Sequence, residues 1–211
     1  TQAHPSVLQS LNLVSRRLER ALLSLGNGAG AETELRAIAA ELAHAVDRSP
    51  EVALASIYLN QIAGLYAVRH CVEAAIIALL LARSMDKPPH ETESIVAAAL
   101  TMNAGMVRLS EVFQLKDSAL SDAERASVRR HPDEGAQLLR LAGIADEDWI
   151  AYVRMHHEME DGSGYPEGRR DVPQNARLVG LADRYCALVS ARNYRRSLLP
   201  PDACRKLVSE C

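Results

Sequence analysis

Residues 156–166 read HHEMEDGSGYP, and this stretch determines how the rest of the chain is interpreted. The two adjacent histidines stand at the end of a predicted helix that begins near Asp146. The residues from Asp161 to Pro166 include two glycines and a proline, which are strong local signals for a loop. Imidazole side chains are common metal ligands. The stretch therefore places potential metal ligands at the junction of a helix and a loop.

Helical patterns surround this junction on both sides. Apolar periodicity predicts helices over residues 5–25 and 32–46, three apolar helices between residues 50 and 106, and a long helix over residues 174–191. Ser121 and Glu124 form a capping-box pattern that opens another helix, which ends near Leu141. Residues 108–120 are polar and are predicted to be a loop. The sequence predicts an all-α fold, a compact bundle of about seven helices with an extra N-terminal helix.

The first helix and the glycine-rich stretch GNGAG at residues 26–30 are predicted to form a separate unit, residues 1–30, ahead of the bundle at residues 31–211. The apolar residues of this helix alternate in spacings of four and three, as in a coiled coil. They are Val7, Leu11, Val14, Leu18, Ala21 and Leu25. One interpretation is a helix that forms a homodimer or transmits a signal, and the other is an amphipathic helix packed on the domain.

Composition excludes several classes of function. The 211 residues carry a net charge of −3, which does not favour binding of a long nucleic acid, although a small phosphate ligand needs only a local cluster of Arg or Lys. The longest strongly apolar run, residues 74–82, is far shorter than the roughly 20 residues that span a bilayer. We therefore expect no membrane span.

The cysteines bear on the cellular compartment. The four cysteines show no CxxC spacing, so we interpret them as reduced thiols that partly fill the core. No secretory signal precedes the first helix, and we expect a cytoplasmic location. The chain starts at Thr1, which is consistent with a fragment that lacks an upstream sensor domain.

Several polar side chains stand where apolar residues are expected. Asp183 lies inside the apolar stretch of residues 178–188, where a charge is costly unless it is paired or bound to a metal. His70 lies in the middle of a predicted helix, and His131 precedes Pro132. Imidazoles with a carboxylate suit Fe, Mn, Zn or Ni. Each histidine taken alone is more often a hydrogen-bonded structural residue than a ligand, so composition leaves both alternatives open.

The order of these motifs resembles the HD-GYP family over about residues 45–197. The HHE and DGSGYP elements within residues 156–166 are highly specific to this family. The other elements are YAVRH at residues 66–70, AAL at 98–100, HPDEG at 131–135, AD at 182–183 and RNYR at 192–195.

The resemblance implies an activity and a set of site residues. Members of the family hydrolyse cyclic di-GMP at a site of two or three metal ions. The residues that correspond to metal ligands are His70, His131, His156, His157 and Asp183. Those that correspond to the signature loop beside the pocket are Gly162, Gly164, Tyr165 and Pro166. Arg192 and Arg195 correspond to contacts of the nucleotide phosphates.

The chain departs from the family in its central motif. The family reads His-Asp-x-Gly-Lys, whereas this chain reads MNAGM at residues 102–106. Met102 replaces a ligand histidine with a thioether, which is a poor ligand for borderline metals. Asn103 replaces the metal-bridging aspartate with a neutral amide. Met106 removes the positive charge of the phosphate-binding lysine.

We therefore expect a catalytically inactive HD-GYP domain that acts as a binding or docking module in bacterial cyclic di-GMP signalling. A cyclic dinucleotide and a GGDEF-type signalling protein, contacted through the signature loop, are the expected partners. No cofactor is expected, because the surviving residues are interpreted as a hydrogen-bonded polar cluster around Asp183. The alternative is a metal-dependent phosphodiesterase with one divalent ion (Zn, Ni, Fe or Mn) held by His131, His156, His157 and Asp183.

Overall fold

A computed structural model describes residues 5–25, 30–114, 116, 119–190 and 197–210, apart from the side chains of Glu111 and Gln114. No strand occurs among these residues, and the predicted all-α fold is confirmed. Arg192 and Arg195 lie outside the described residues. The helices are α1 (Val7–Leu23), α2 (Ala31–Arg48), α3 (Pro50–Tyr58), α4 (Tyr66–Ser84), α5 (Pro89–Thr101), α6 (Val107–Gln114), α7 (Asp122–Leu141), α8 (Glu147–Met155), α9 (Gln174–Val189) and α10 (Pro200–Ser209), with a 3₁₀ turn at Ala104–Met106.

Side-chain caps fix where several helices begin. The Ser121 hydroxyl accepts from the Glu124 backbone N–H, and the Glu124 carboxylate accepts from the Ser121 N–H, as the sequence predicted for α7. At the start of α3 the Ser49 hydroxyl accepts from the Val52 backbone N–H, with Pro50 at the first helical position. These contacts satisfy N–H groups that the first helical turn leaves without a partner.

The predicted loop at residues 108–120 is partly wrong, because α6 covers Val107–Gln114. Val107 and Ser110, one helical turn apart, are buried, and α6 packs against α4. One buried helical turn gives too short an apolar pattern for a helix to be predicted within this polar stretch of sequence. Tertiary packing, rather than intrinsic propensity, stabilises this short helix. Helix α10 was likewise not assigned from the sequence.

Helix α4 forms the centre of the bundle. Its residues 71–79 are all buried, because α5 and α9 pack along it and α1, α2, α3 and α6 contact it as well. A helix that is apolar on every side is expected in such a position. None of the described helices is both long enough and apolar enough to cross a bilayer.

The apolar stripe of α1 is buried within the same chain. Leu11, Val14 and Leu18 are at most 1% exposed, and α1 packs against α2, α3 and α4. This packing supports the interpretation of α1 as an amphipathic helix on the domain. Dimerisation or signalling through another face of α1 stays a prediction.

Candidate metal and ligand site

His131 and His156 are each held by a backbone carbonyl that their helix leaves available. In α7, the Val128 carbonyl would normally accept from residue 132, but Pro132 has no N–H. His131 Nδ1 donates to this carbonyl instead, at 2.6 Å. His156 follows the last residue of α8, and its Nδ1 donates to the Val153 carbonyl at 2.6 Å. The last carbonyls of a helix lack intrahelical partners, so this one is also free to accept.

These two contacts fix which ring nitrogen carries the proton. Because a carbonyl only accepts, Nδ1 of each neutral imidazole is protonated and Nε2 keeps its lone pair. The two Nε2 atoms lie 3.3 Å apart. Burial lowers the pKa of His131 to about 3, with a further contribution from repulsion by His156, and burial also lowers the pKa of His156. A proton shared between the two Nε2 atoms is therefore disfavoured. The two lone pairs instead suit the binding of a metal cation.

His157 completes a triad of histidines, which we call the histidine triad. The nitrogen donors of His131, His156 and His157 all lie within 4.8 Å of one another. Burial holds the pKa of His157 well below its usual range, so its imidazole is neutral. In a tetrahedral zinc site, Zn–N bonds of about 2.0–2.1 Å place two nitrogens about 3.3 Å apart. The spacing of His131 and His156 fits this geometry, and the donor nitrogen of His157 lies close enough to join the same ion after a small shift of its ring.

His70 and Asp183 form a separate buried pair. His70 Nε2 lies 2.7 Å from Asp183 Oδ1 and donates to it. Burial opposes ionisation of Asp183, but the hydrogen bond from His70 and the nearby imidazoles together lower its pKa. The other oxygen, Oδ2, lies 3.9 Å from His157 Nδ1, which is too far for a hydrogen bond. The five residues assigned from the family pattern therefore lie together but divide into a pair and a triad.

The replaced central motif lies beside both groups. Met102 is fully buried at the end of α5, and Asn103 is 8% exposed. Asn103 lies next to the Cys71 thiol in the core, and burial raises the pKa of this thiol to about 12. The uncharged side chain of Asn103 therefore faces an uncharged thiol in the core. Neither residue supplies an anion that could bridge two metal ions.

Two glycines allow the elements of the site to approach one another closely. A Cβ at Gly180 in α9 would lie 2.1 Å from the His156 carbonyl oxygen. A Cβ at Gly105 would lie 2.5 Å from the His131 carbonyl oxygen. Sequence reasoning missed Gly180, although a glycine inside a strongly helical pattern indicates close packing.

The signature loop is built on Glu158, a second residue whose role the sequence did not reveal. Glu158 is 3% exposed, and its two carboxylate oxygens accept from the backbone N–H groups of Glu167 and Arg169 at 2.7 and 2.8 Å. Tyr165 donates its backbone N–H to the His157 carbonyl, and its ring stacks on the His157 ring at 4.5 Å. The loop is therefore attached directly to the histidine triad.

We expect Glu158→Gln to loosen this loop. The Gln amide keeps one accepting oxygen, so one of the two buried N–H groups loses its partner. The unsatisfied group costs about 1–3 kcal/mol, and hydrogen exchange at the amide of Glu167 or Arg169 should accelerate about tenfold or more. The matched control is Glu160→Gln, whose carboxylate pairs with Arg177 and should leave both amides unchanged. Equal protection in both variants would contradict the role of Glu158.

A cleft of about 810 Å³ opens beside the triad and the loop. Its apolar lining includes Leu81 of α4, Met85 directly after α4, and Leu178 and Leu181 of α9. The cleft is also lined by polar and aromatic side chains. They are Arg129, His156, His157, Glu158, Glu160, Asp161, Ser163, Tyr165, Arg177, Arg184 and Glu210.

The fold is an all-helical bundle. Helices α4, α7 and α9 and the residues directly after α8 together contribute a cluster of histidines and one aspartate. These features define the class of protein. The HD domain family model matches residues 31–210, and the chain belongs to the HD domain family. The chain is 28% identical over 169 residues to a cyclic di-GMP phosphodiesterase of Pseudomonas aeruginosa, covering 79% of this chain and 41% of the relative. These matches confirm the resemblance to HD-GYP proteins.

Two further comparisons agree. The chain is 33% identical over 124 residues to the cyclic di-GMP phosphodiesterase response regulator RpfG of Xanthomonas campestris, covering 57% of this chain and 33% of the relative. An HDG"Y"P protein from Bdellovibrio bacteriovorus has the same fold, with a TM-score of 0.78 at 18% identity over 99% of this chain and 68% of that one. The chain spans less than half the length of these two curated relatives.

Proposed function

We propose that this chain is a cyclic-dinucleotide-binding HD-GYP domain that does not hydrolyse its ligand and holds one divalent ion rather than two. The observation that carries the proposal is the contrast between the two halves of the site. The histidine triad presents converging nitrogen donors, whereas Met102 and Asn103 supply a thioether and a neutral amide.

The loss of hydrolysis follows from charge. Two divalent ions about 3.5–4 Å apart act together on a phosphoryl group, and a bridging anion offsets their repulsion. Asn103 carries no charge, so its side chain cannot act as a bridging anion. Asp183, the remaining carboxylate, is committed to His70 through one oxygen. Among the described residues, the site therefore lacks the anion that a second ion needs.

The sequence led us to expect no cofactor, but the geometry of the histidine triad supports the proposal that one ion is retained. Carbonyl partners orient metal-binding histidines in many metal sites and raise the basicity of the free nitrogen. His131 and His156 both have such partners. Asp183 Oδ2 and water are the candidates for the fourth ligand. When bound, such an ion supplies a positive charge that attracts a phosphate oxygen.

Ligand binding is supported by the cleft beside the triad and by the names of the relatives. Curated relatives are cyclic di-GMP phosphodiesterases, and one is a 3'3'-cGAMP-specific phosphodiesterase of Vibrio cholerae, 26% identical over 137 residues. We propose Arg192 and Arg195 as additional phosphate contacts. The signature loop remains the proposed docking surface for a GGDEF-type partner in bacterial cyclic di-GMP signalling.

Three measurements on one preparation test the proposal. Protein purified without a metal-affinity column and reconstituted with Mn, Fe or Zn should contain about one ion per chain by elemental analysis. Calorimetry should detect binding of cyclic di-GMP, and chromatography should detect no linear product. Two ions per chain together with turnover would overturn the proposal.

We expect Asn103→Asp alone to leave hydrolysis of cyclic di-GMP at background. The ligand histidine and the phosphate-binding lysine would still be missing at positions 102 and 106. Only the triple change Met102→His, Asn103→Asp and Met106→Lys, assayed with excess Mn, should produce linear product. Melting curves for each variant separate inactivity from misfolding. Turnover by the unaltered chain or by the single variant would show that the motif is dispensable.

The second candidate function is a phosphodiesterase that works with one ion. The completeness of the histidine triad favours it, because a single metal ion can polarise a phosphoryl oxygen and activate water. The same assay distinguishes the two functions, since metal-dependent turnover that His156→Ala abolishes supports the enzyme and rules out the inactive binding module.

A further inference from the structure

We propose that Arg129 and Arg184 form a phosphate-binding subsite in the cleft, which holds the phosphodiester groups of a nucleotide ligand. This inference deepens the proposed function, because it names side chains that recognise the cyclic dinucleotide. Met106 carries no charge, so the cations that bind phosphate must come from elsewhere on the cleft.

Arg129 is held beside the histidine triad. Its guanidinium carbon lies 4.7 Å from the centre of the Tyr165 ring, a cation–π geometry. The Tyr165 ring in turn stacks on His157. Within the described part of the chain, no carboxylate forms an ion pair with Arg129, so its N–H groups remain available to an anion.

Arg184 occupies a second position on the cleft. It follows Asp183 in α9 and lies on the same helical face as Leu181 and Arg177, which also line the cleft. Arg184 is half-buried, and it has no ion pair with any residue that the structure describes. A partly buried guanidinium without a carboxylate partner favours an anionic ligand, because a charge is costly there when unpaired.

Among the described residues, none of the acidic side chains of the cleft forms an ion pair with either arginine, because each is hydrogen-bonded or ion-paired elsewhere. Glu158 accepts from two backbone N–H groups, and Glu160 pairs with Arg177. Asp161 accepts from the backbone N–H and the hydroxyl of Ser163. Glu210 lies 3.8 Å from Lys206. Within the described residues, Arg129 and Arg184 are therefore the cations of the cleft that lack an ion-pair partner.

The remaining chemistry of the cleft indicates a nucleotide rather than a simple anion. Leucine side chains of α4 and α9, together with Met85 after α4, provide an apolar surface against which flat bases can pack. Guanidinium groups bind phosphate oxygens through charge-assisted, often bidentate hydrogen bonds. A ligand with both phosphates and bases can bind the arginines through its phosphates and the apolar lining through its bases.

The test uses the full chain after treatment with chelator, so that no metal ion contributes to anion binding. Affinities for cyclic di-GMP and for inorganic pyrophosphate are measured by calorimetry for the unaltered chain, Arg129→Gln, Arg184→Gln and Arg177→Gln. Arg177 is the matched control, because it lines the same cleft but its guanidinium is paired with Glu160. Arg129→Gln and Arg184→Gln should each weaken binding of both probes about 10- to 100-fold, and Arg177→Gln should change it less than about threefold.

The outcomes separate this inference from the proposed function. If the unaltered chain binds pyrophosphate but not cyclic di-GMP, the proposed function fails. The affinities of the arginine variants for pyrophosphate still test whether the phosphate-binding subsite exists. Equal affinities in all three variants, or no binding of either probe by the unaltered chain, would overturn the subsite. Melting curves identify any variant that is unfolded, and Arg129→Lys and Arg184→Lys, which keep the charge, should then retain most of the affinity.

Discussion

Adding Zn to metal-free protein should raise its melting temperature by roughly 5–10 °C, and His156→Ala should abolish this rise. An ion that binds only the folded state stabilises it by about 2.7 kcal/mol when its concentration is 100 times the dissociation constant. For a chain of 150–250 residues, 1 kcal/mol corresponds to about 2–4 °C. The expected rise follows from these two quantities.

The physical basis is the fixed geometry of the histidine triad. His131 and His156 point their unprotonated Nε2 atoms at each other across 3.3 Å. An ion that binds between them removes the repulsion of two lone pairs and requires little rearrangement. Removal of the His156 imidazole takes away one of three donors and should weaken the site severely.

The control is His44→Ala, which removes an exposed histidine of α2 that lies outside the triad. This variant should keep the full rise with Zn. The measurement is a thermal melt of metal-free protein and then, after the chelator has been removed, of the same protein with excess Zn or Ni, on protein never exposed to a nickel column. An unchanged melting temperature in the unaltered chain would contradict a metal site and favour the polar cluster.

Asp183→Ala should lower the free energy of unfolding by about 2–5 kcal/mol, because it leaves a buried histidine without its partner. The Asp183 side chain is 12% exposed, and its carboxylate joins α9 to α4 through His70. His70 Nδ1 already has no hydrogen-bond partner among the described residues. Loss of Asp183 would leave both ring nitrogens of His70 unsatisfied.

A matched control compares a buried with an exposed carboxylate. Asp133 pairs with Arg154, but its side chain is 44% exposed, so Asp133→Ala should cost less than about 1 kcal/mol. Asp183→Asn, which keeps an accepting oxygen, should fall between the two. Urea unfolding of metal-free protein measures all three values. An equal cost for Asp183→Ala and Asp133→Ala would rule out a structural role for the buried pair.

The sequence by itself determined the family and much of the secondary structure. Residues 156–166 are specific because a loop with two glycines and a proline follows two histidines at a fixed spacing. The helix bounds that were predicted well carry local signals, such as the capping box of Ser121 and Glu124. Helix α6 was missed because its stability depends on contacts with α4 rather than on its own residues.

Only the tertiary structure decided how the candidate ligands are grouped. His70 and Asp183 are separated by 113 residues in the chain, and nothing local to either residue predicts that they bond to each other rather than to the triad. The protonation of His131 and His156 depends on the carbonyls of Val128 and Val153, and the His-Pro pair at residues 131–132 was a signal for the first of these. The sequence fixes which donors and acceptors exist. The packing of α4, α7, α8 and α9 decides which of them meet, because hydrogen bonds and metal sites require side chains to converge within a few ångströms.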